Sequence, residues 1–141
     1  MRTLSVLFCA ALAASTLSVA ACSKDAAKPA TKPAVAEVTV EQLAKDLAAK
    51  AAHPVDANGT KTRTDVGYIP GAVLLTDYET YAASELPADK AEPLVFYCAN
   101  EQCGASHEAA KKAVALGYQH VQVLPAGIMG WTEAGQRVEK L

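Results

Sequence analysis

A short apolar strand, a cysteine-containing loop and an amphipathic helix follow one another in the second half of this 141-residue chain. Residues 93–97 are apolar and predict a buried strand, while residues 106–116 carry an apolar stripe that predicts a helix ending at Gly117. The loop between them, residues 98–105, begins at Cys98. A strand that leads through a tight loop into a helix is a unit of parallel α/β sheets, so this segment constrains the fold strongly.

Cys98 lies where the predicted strand ends and the following helix presents its amino terminus. Backbone N–H groups and the positive end of the helix dipole converge at such a position, which favours a thiolate and binds anions. Cys98 is therefore a candidate nucleophile or redox thiol. The alternative is a small apolar side chain buried at a strand end, since free cysteine is among the most buried residue types.

The first 21 residues have the pattern of an export signal. Arg2 supplies a positive charge, residues 4–12 are apolar, and small residues continue up to Cys22. The apolar run is short for a membrane-spanning helix. Residues 19–22, Val-Ala-Ala-Cys, resemble a bacterial lipobox, which implies cleavage before Cys22 and lipid attachment to its thiol; the alternative is an ordinary cleavage site beside a cysteine. Ser23 resembles an outer-membrane address, which implies the periplasmic face of that membrane in a Gram-negative cell.

Residues 22–37 predict a flexible tether, because they are rich in Ala, Lys and Pro. Residues 38–141 are long enough for one small domain with a single core. Removing residues 1–21 takes away one of the 13 basic residues and none of the 15 acidic ones, so the mature chain has a formal charge of 12 − 15 = −3. This weakly acidic balance argues against nucleic acid as a partner. Lipidated Cys22 would provide the contact with the membrane.

Two of the four cysteines belong to the predicted domain. Cys9 leaves with the signal and Cys22 is the lipidation site, so Cys98 and Cys103 remain. In an oxidising compartment these two can form a disulfide, but their separation of five residues does not establish the required geometry, and the pairing stays open. Together with His107 they offer three metal ligands without an obvious fourth, so we predict no metal site. We also predict no cofactor.

Helices and strands alternate through residues 38–141. A capping box at Thr39 begins the first predicted helix. Further strands are predicted at 54–57, 73–75 and 120–124, and further helices at 77–84 and 127–134. This order predicts an α/β domain with a central, mainly parallel sheet flanked by helices. Ligands of such sheets bind outside the carboxyl ends of the strands, which is where Cys98 falls.

The order of the motifs over residues 38–141 resembles that of a single-domain rhodanese, the fold of many sulfurtransferases. The motifs are Val55-Asp56, Gly67-Tyr-Ile-Pro-Gly-Ala72, Val95-Phe-Tyr-Cys98, the Gly-Tyr pair at 117–118 and Val-Leu-Pro-Ala-Gly-Ile-Met-Gly-Trp at 123–131. The resemblance implies that Cys98 is the catalytic nucleophile and that Asp56 supports the loops through hydrogen bonds. It also implies a substrate-binding loop and helix start made of Ala99, Asn100, Glu101, Gln102, Gly104, Ala105 and Ser106.

The loop also departs from the usual rhodanese pattern. Cys98 and Cys103 form a Cys-x4-Cys variant in a loop that is longer than usual and contains no Arg or Lys. Gly104 stands where phosphatases and arsenate reductases of this fold carry an arginine, so those activities are not expected. Glu101 disfavours a dianion such as thiosulfate. Arg63 is a possible replacement for the missing cation, although we expect it on the solvated surface.

Three functional hypotheses follow from these features. The leading one is an envelope-located sulfurtransferase that moves sulfane sulfur from a small donor to a thiol acceptor through a Cys98 persulfide. The second is a thiol–disulfide redox site in which Cys103 is the resolving thiol. The third is a catalytically weak rhodanese module that binds an envelope protein partner.

Overall fold

A computed structural model describes residues 35–141, in which five strands form one parallel sheet flanked by helices. The strands run in the spatial order β1-β5-β4-β2-β3, and every neighbouring pair is parallel. Their bounds are β1 Ala36–Glu37, β2 His53–Asp56, β3 Val73–Leu74, β4 Leu94–Tyr97 and β5 Val121–Leu124. The predicted α/β class and the mainly parallel sheet are confirmed.

Four α-helices cover the two faces of the sheet. They are α1 Val40–Ala48, α2 Thr60–Asp65, α3 Ala105–Ala115 and α4 Gly127–Glu133. Central strand β4 is buried on both sides, and its side chains alternate between two cores. Leu94 and Phe96 pack in the core that contains the alanines of α3, whereas Val95 and Tyr97 pack in the core formed with α1 and α4. This burial fixes the end of β4, and therefore Cys98, at the centre of one sheet edge.

The segment between β3 and β4 differs from the prediction. We expected a helix at 77–84, but the chain forms turns followed by a short 3-10 helix at Ala83–Glu85. The Asp77 carboxylate accepts hydrogen bonds from the backbone N–H groups of Glu79 and Thr80, at 2.9 and 2.8 Å. The same contacts cap the first turn of a helix, but the turn ends at Ala82, whose backbone is extended and whose N–H donates to Glu85 Oε1 at 2.8 Å. The helix prediction was therefore wrong.

The edge of the sheet extends beyond the predicted start of the domain. We assigned residues 22–37 to a tether, but Ala36 and Glu37 form β1 and pair with Gln122 and Val123 of β5. The predicted signal peptide, Cys22 and the rest of the tether up to residue 34 lie outside the described residues. Within residues 35–141, no helix is long and apolar enough to cross a membrane.

Candidate functional site

Cys98 follows β4 directly and lies beside the first turn of α3. Its side chain is almost completely buried, with a residue exposure of 1%. Its sulfur lies 3.4 Å from the hydroxyl oxygen of Ser106, which is buried in the first turn of α3. A hydroxyl and the amino-terminal end of a helix both stabilise negative charge on a nearby sulfur. These two groups can stabilise negative charge that develops on the Cys98 sulfur when the disulfide is opened.

Cys98 and Cys103 are joined in a disulfide, with their Cα atoms 6.3 Å apart. This separation lies within the range that a disulfide requires. Two hydrogen bonds shape the loop between the cysteines: the Cys103 N–H donates to the Asn100 carbonyl at 3.0 Å, and the Gln102 N–H donates to Asn100 Oδ1 at 3.1 Å. The sequence left the pairing of the cysteines open, and the loop places them together.

The beginning of the loop is held by the amino terminus of α4. The backbone N–H of Ile128 donates to the Cys98 carbonyl at 2.8 Å, and that of Met129 donates to the Ala99 carbonyl at 3.0 Å. Gly127 makes this approach possible: it has a φ of 60°, and a Cβ atom there would lie 2.5 Å from the Ala99 carbonyl carbon and oxygen. Any side chain at this position would both strain the backbone and push the loop away.

Asp56 connects the ends of β2 and β4 beneath the site. It is completely buried, and its carboxylate accepts hydrogen bonds from the Asn58 backbone N–H at 2.6 Å and the Tyr97 hydroxyl at 2.9 Å. The Tyr97 hydroxyl in turn accepts one from the Ile69 N–H at 2.9 Å. Burial raises the pKa of Asp56, whereas Asn58, Tyr97 and Arg63 lower it, and burial is the largest effect.

Arg63 is not the surface residue that we expected. It is only 6% exposed, and Nη2 donates to the carbonyl oxygens of Asp56 and Leu75 at 3.1 and 2.9 Å. Its Nε lies 3.6 Å from Asp56 Oδ1. We missed this role because helix α2 has the sequence Thr-Lys-Thr-Arg-Thr-Asp, which offers no apolar stripe. Arg63 is the buried residue of α2, and its two hydrogen bonds connect the end of β2 with the end of β3.

A cleft of about 360 Å³ opens at the carboxyl ends of β2, β3 and β4. It is lined by Ala57, Asn58, Gly59, Thr62, Thr76, Asp77, Tyr78, Ala99 and Cys103. No lysine or arginine is among these residues. Asp77 is the charged residue among those that line this cleft. Hydrogen bonds from Thr80 and Glu79 lower the pKa of its carboxyl, so Asp77 is ionised at neutral pH.

The candidate substrate-binding residues separate into different surroundings. Asn100, Glu101 and Gln102 line a second cleft of about 280 Å³ with Glu133 and other residues of the α4 region. Ala99 and Cys103 line the first cleft, Gly104 is the N-cap of α3, and Ala105 and Ser106 begin that helix. Glu101, which we expected to repel a dianion, therefore does not line the cleft that contains Cys103. Among residues 35–141, no group of three potential ligands could hold a metal ion.

Sequence reasoning missed two residues of the site. Asn58 appeared only as a departure from the rhodanese pattern, but it is buried, with 7% exposure, and lines the cleft beside Cys103. Tyr97 was treated only as part of an apolar strand, but its hydroxyl joins Asp56 to the turn at Ile69. A hydroxyl-bearing aromatic residue next to the candidate nucleophile was the available signal for the second case.

Comparison with known proteins assigns the family. A model of the rhodanese-like domain matches residues 39–134, and the chain belongs to this family. The match begins at the N-cap of α1 and ends just after α4, so it includes the disulfide loop and both clefts. No curated protein sequence matches the chain significantly.

Solved structures have the same fold at low sequence identity. A Bacillus halodurans protein is 22% identical, with a TM-score of 0.66, over 74% of this chain and 77% of its own. The human single-domain sulfurtransferase is 21% identical, with a TM-score of 0.57, over 69% of this chain and 95% of its own. SseA of Escherichia coli, described as a 3-mercaptopyruvate sulfotransferase, is 19% identical, with a TM-score of 0.59, over 76% of this chain and 51% of its own.

Proposed function

We propose that this protein is a sulfurtransferase that carries sulfane sulfur on Cys98. The observation that supports this most directly is the position of Cys98, at the carboxyl end of the central strand and beside the first turn of α3. Membership of the rhodanese-like family, which includes sulfurtransferases, supports the same chemistry. The buried Asp56, Tyr97 and Arg63 hold the strand ends on which the loop is built.

The proposed reaction has two steps. The Cys98 thiolate attacks the outer sulfur of a donor such as thiosulfate or a persulfide, the donor's sulfur–sulfur bond breaks, and the remainder leaves with the electron pair. A nucleophilic acceptor, such as a thiolate or cyanide, then takes the outer sulfur of the Cys98 persulfide and regenerates the thiolate. This is covalent catalysis of the ping-pong type.

Mass spectrometry of the reduced protein tests the assignment. After treatment with a persulfide donor, one added sulfur atom is expected on Cys98 in the wild type and in Cys103→Ser, and none in Cys98→Ser. Because Cys98→Ser lacks the nucleophile, its turnover is expected to fall by at least about 10³-fold. Full cyanide-dependent thiocyanate formation by Cys98→Ser would disprove the role of Cys98.

Turnover rates with different donors identify the class of donor. The cleft that contains Cys103 has no basic residue in its lining and has an ionised carboxylate at Asp77, whose charge is offset in part by Lys112 outside the lining. Repulsion between charges a few ångströms apart costs about 1–4 kcal/mol, which corresponds to about one to three decades in rate. We therefore expect a neutral persulfide to be used faster than thiosulfate, and added salt to raise the thiosulfate rate. Fast, salt-insensitive turnover with thiosulfate would exclude this donor preference.

A specific observation favours a second function, thiol–disulfide exchange by Cys98 and Cys103. The two cysteines form a disulfide, and both lie outside regular secondary structure, in the loop between β4 and α3. In its simplest coupling with sulfur transfer, the Cys103 thiolate attacks the inner sulfur of the Cys98 persulfide, forms the disulfide and releases hydrogen sulfide. Redox titration followed by thiol alkylation tests this function, and two free thiols at every potential found in the cell envelope would exclude it.

We also propose that a lipid on Cys22 anchors the domain to the envelope, with the segment up to residue 35 as a tether. The lipobox-like residues 19–22 and the export pattern before them support this. Cys22→Ala is expected to move the protein from the membrane fraction to the soluble fraction of the periplasm, because its acyl chains provide the membrane affinity. Unchanged membrane fractionation of Cys22→Ala would contradict the anchor, and Cys9→Ala is the matched control.

A further inference from the structure

A methionine sulfur lies against the disulfide loop. Met129 belongs to α4 and is 43% exposed. Its sulfur accepts a hydrogen bond from Asn100 Nδ2 at 3.7 Å, and its backbone N–H is the group that holds the Ala99 carbonyl. Met129 also lines the second cleft, beside Asn100, Glu101 and Gln102. A small molecule dissolved in water can therefore reach this sulfur through the cleft.

Asn100 is the residue that organises the loop around the disulfide. Its carbonyl accepts the N–H of Cys103 at 3.0 Å, and its Oδ1 accepts the N–H of Gln102 at 3.1 Å. Because Oδ1 faces Gln102, the amide nitrogen is the end of the side chain that faces Met129. Asn100 therefore connects the Met129 sulfur to the turn that brings Cys103 next to Cys98.

Oxidation of Met129 changes the strength of this contact. A thioether sulfur is a weak hydrogen-bond acceptor. A hydroperoxide transfers one oxygen atom to the sulfur, which is oxidised by two electrons to the sulfoxide, while the hydroperoxide is reduced to an alcohol or, for hydrogen peroxide, to water. The sulfoxide oxygen is polar and accepts a hydrogen bond from an amide more strongly than the thioether does. Met129 is the one methionine besides Met1, so this reaction has a single target in the domain.

Building on the thiol–disulfide function above, we propose that Met129 is a modification site for hydroperoxides, and that its sulfoxide accepts a hydrogen bond from Asn100 and stabilises the disulfide form of the loop. Asn100 holds Cys103 in that form, whereas opening the disulfide frees Cys103 from its bond to Cys98. A stronger contact between Met129 and Asn100 therefore makes the disulfide harder to reduce. Because the disulfide occupies the Cys98 sulfur, a hydroperoxide that acts on Met129 also holds back sulfur transfer.

Redox titration of peroxide-treated protein tests the proposal. The oxidised protein is treated with hydrogen peroxide, because its disulfide protects both cysteines, and the peroxide is then removed. Mass spectrometry is expected to find one added oxygen atom on the peptide that contains Met129. The disulfide is then titrated with mixtures of reduced and oxidised dithiothreitol, followed by thiol alkylation. Treatment should lower the equilibrium constant for reduction by about threefold to tenfold, the scale of one hydrogen bond, which corresponds to a midpoint about 15–30 mV lower.

Three variants separate the contact with Asn100 from other effects of peroxide. Met129→Leu should show the same midpoint with and without treatment. Asn100→Ala should gain an oxygen atom on Met129, but its midpoint should not shift on treatment, because the amide donor is missing. Adding Leu141→Met to Met129→Leu moves the oxidisable sulfur to a position that is 59% exposed and outside the disulfide loop, so treatment should again leave the midpoint unchanged.

Contrary results distinguish this proposal from the function on which it rests. The proposal is overturned if peroxide leaves Met129 unmodified, if the wild-type midpoint stays the same or rises, or if Asn100→Ala shifts as much as the wild type. Untreated protein that stays fully oxidised or fully reduced in every dithiothreitol mixture would overturn the thiol–disulfide function itself. Sulfur transfer by Cys98 is measured separately on reduced, untreated protein, so failure of that function is also distinguishable.

Discussion

Oxidised wild-type protein is expected to have almost no sulfurtransferase activity, and reduction is expected to restore it. The sulfur of Cys98 is bonded to Cys103 in the oxidised state, so no thiolate is available to attack a donor. The loss should approach that of a variant without the nucleophile, at least about 10³-fold. Thiocyanate formation is measured after preincubation with and without a reductant that is then removed.

Cys103→Ser separates this effect from any other action of the reductant. The variant keeps Cys98 beside Ser106 but cannot form the intramolecular disulfide, so its turnover should be the same with and without prior reduction. Cys98→Ser should stay inactive in both conditions. Equal activity of oxidised and reduced wild type, with the disulfide verified by alkylation, would show that Cys98 is not the sulfur carrier.

Replacement of Arg63 by methionine is expected to produce the largest loss of stability. The change leaves the Asp56 carboxylate buried without its cationic partner, and it removes donors from the carbonyls of Asp56 and Leu75. Breaking a buried pair on one side costs about 3–5 kcal/mol in the free energy of unfolding. Folded domains of this size have about 5–15 kcal/mol in total, so urea denaturation should show a large shift of the midpoint.

The pH dependence of that loss is a second readout. Burial already raises the pKa of Asp56, and loss of Arg63 raises it further because the guanidinium lowers it in the wild type. The folded state of Arg63→Met then favours the protonated carboxyl, so the part of the cost that comes from the unpaired carboxylate is complete above the raised pKa and disappears as the pH falls below the ordinary carboxyl range. The part that comes from the lost carbonyl donors remains at every pH. Arg137→Met is the control, since Arg137 is 79% exposed and its pair with Glu139 is worth about 0–1 kcal/mol. Similar losses for the two variants would contradict the structural role of Arg63.

The sequence was most informative where side-chain periodicity reports burial directly. The bounds of central strand β4 and helix α3 were predicted to within one residue. In both elements the apolar residues recur with the period of the secondary structure because they face a core. The position of Cys98 at a strand end followed from those two elements. The pairing with Cys103 did not follow, because closure depends on the path of the loop and not on the spacing of the cysteines.

The polar network beneath the site could not be predicted for a different reason. Arg63 and Asn58 belong to segments without apolar periodicity, and their burial arises only when β2 and β3 come together. The helix at 77–84 was predicted from tyrosine spacing, whereas the chain becomes extended at Ala82, where the backbone N–H donates to the Glu85 carboxylate. Polar residues acquire their roles from contacts distant in sequence, and a single sequence does not show those contacts.

The contact at Gly127 makes the two ends of the disulfide loop different: the end at Cys98 is held by α4, and the end at Gly104 is not. Two backbone hydrogen bonds fasten the carbonyls of Cys98 and Ala99 to α4, whereas Gly104, at the other end, has open space around its Cα. Opening and closing of the disulfide should therefore move Cys103 about a stationary Cys98. In the reduced state, a sulfur atom carried on Cys98 would be held at one fixed place, and re-forming the disulfide would bring Cys103 back to that place.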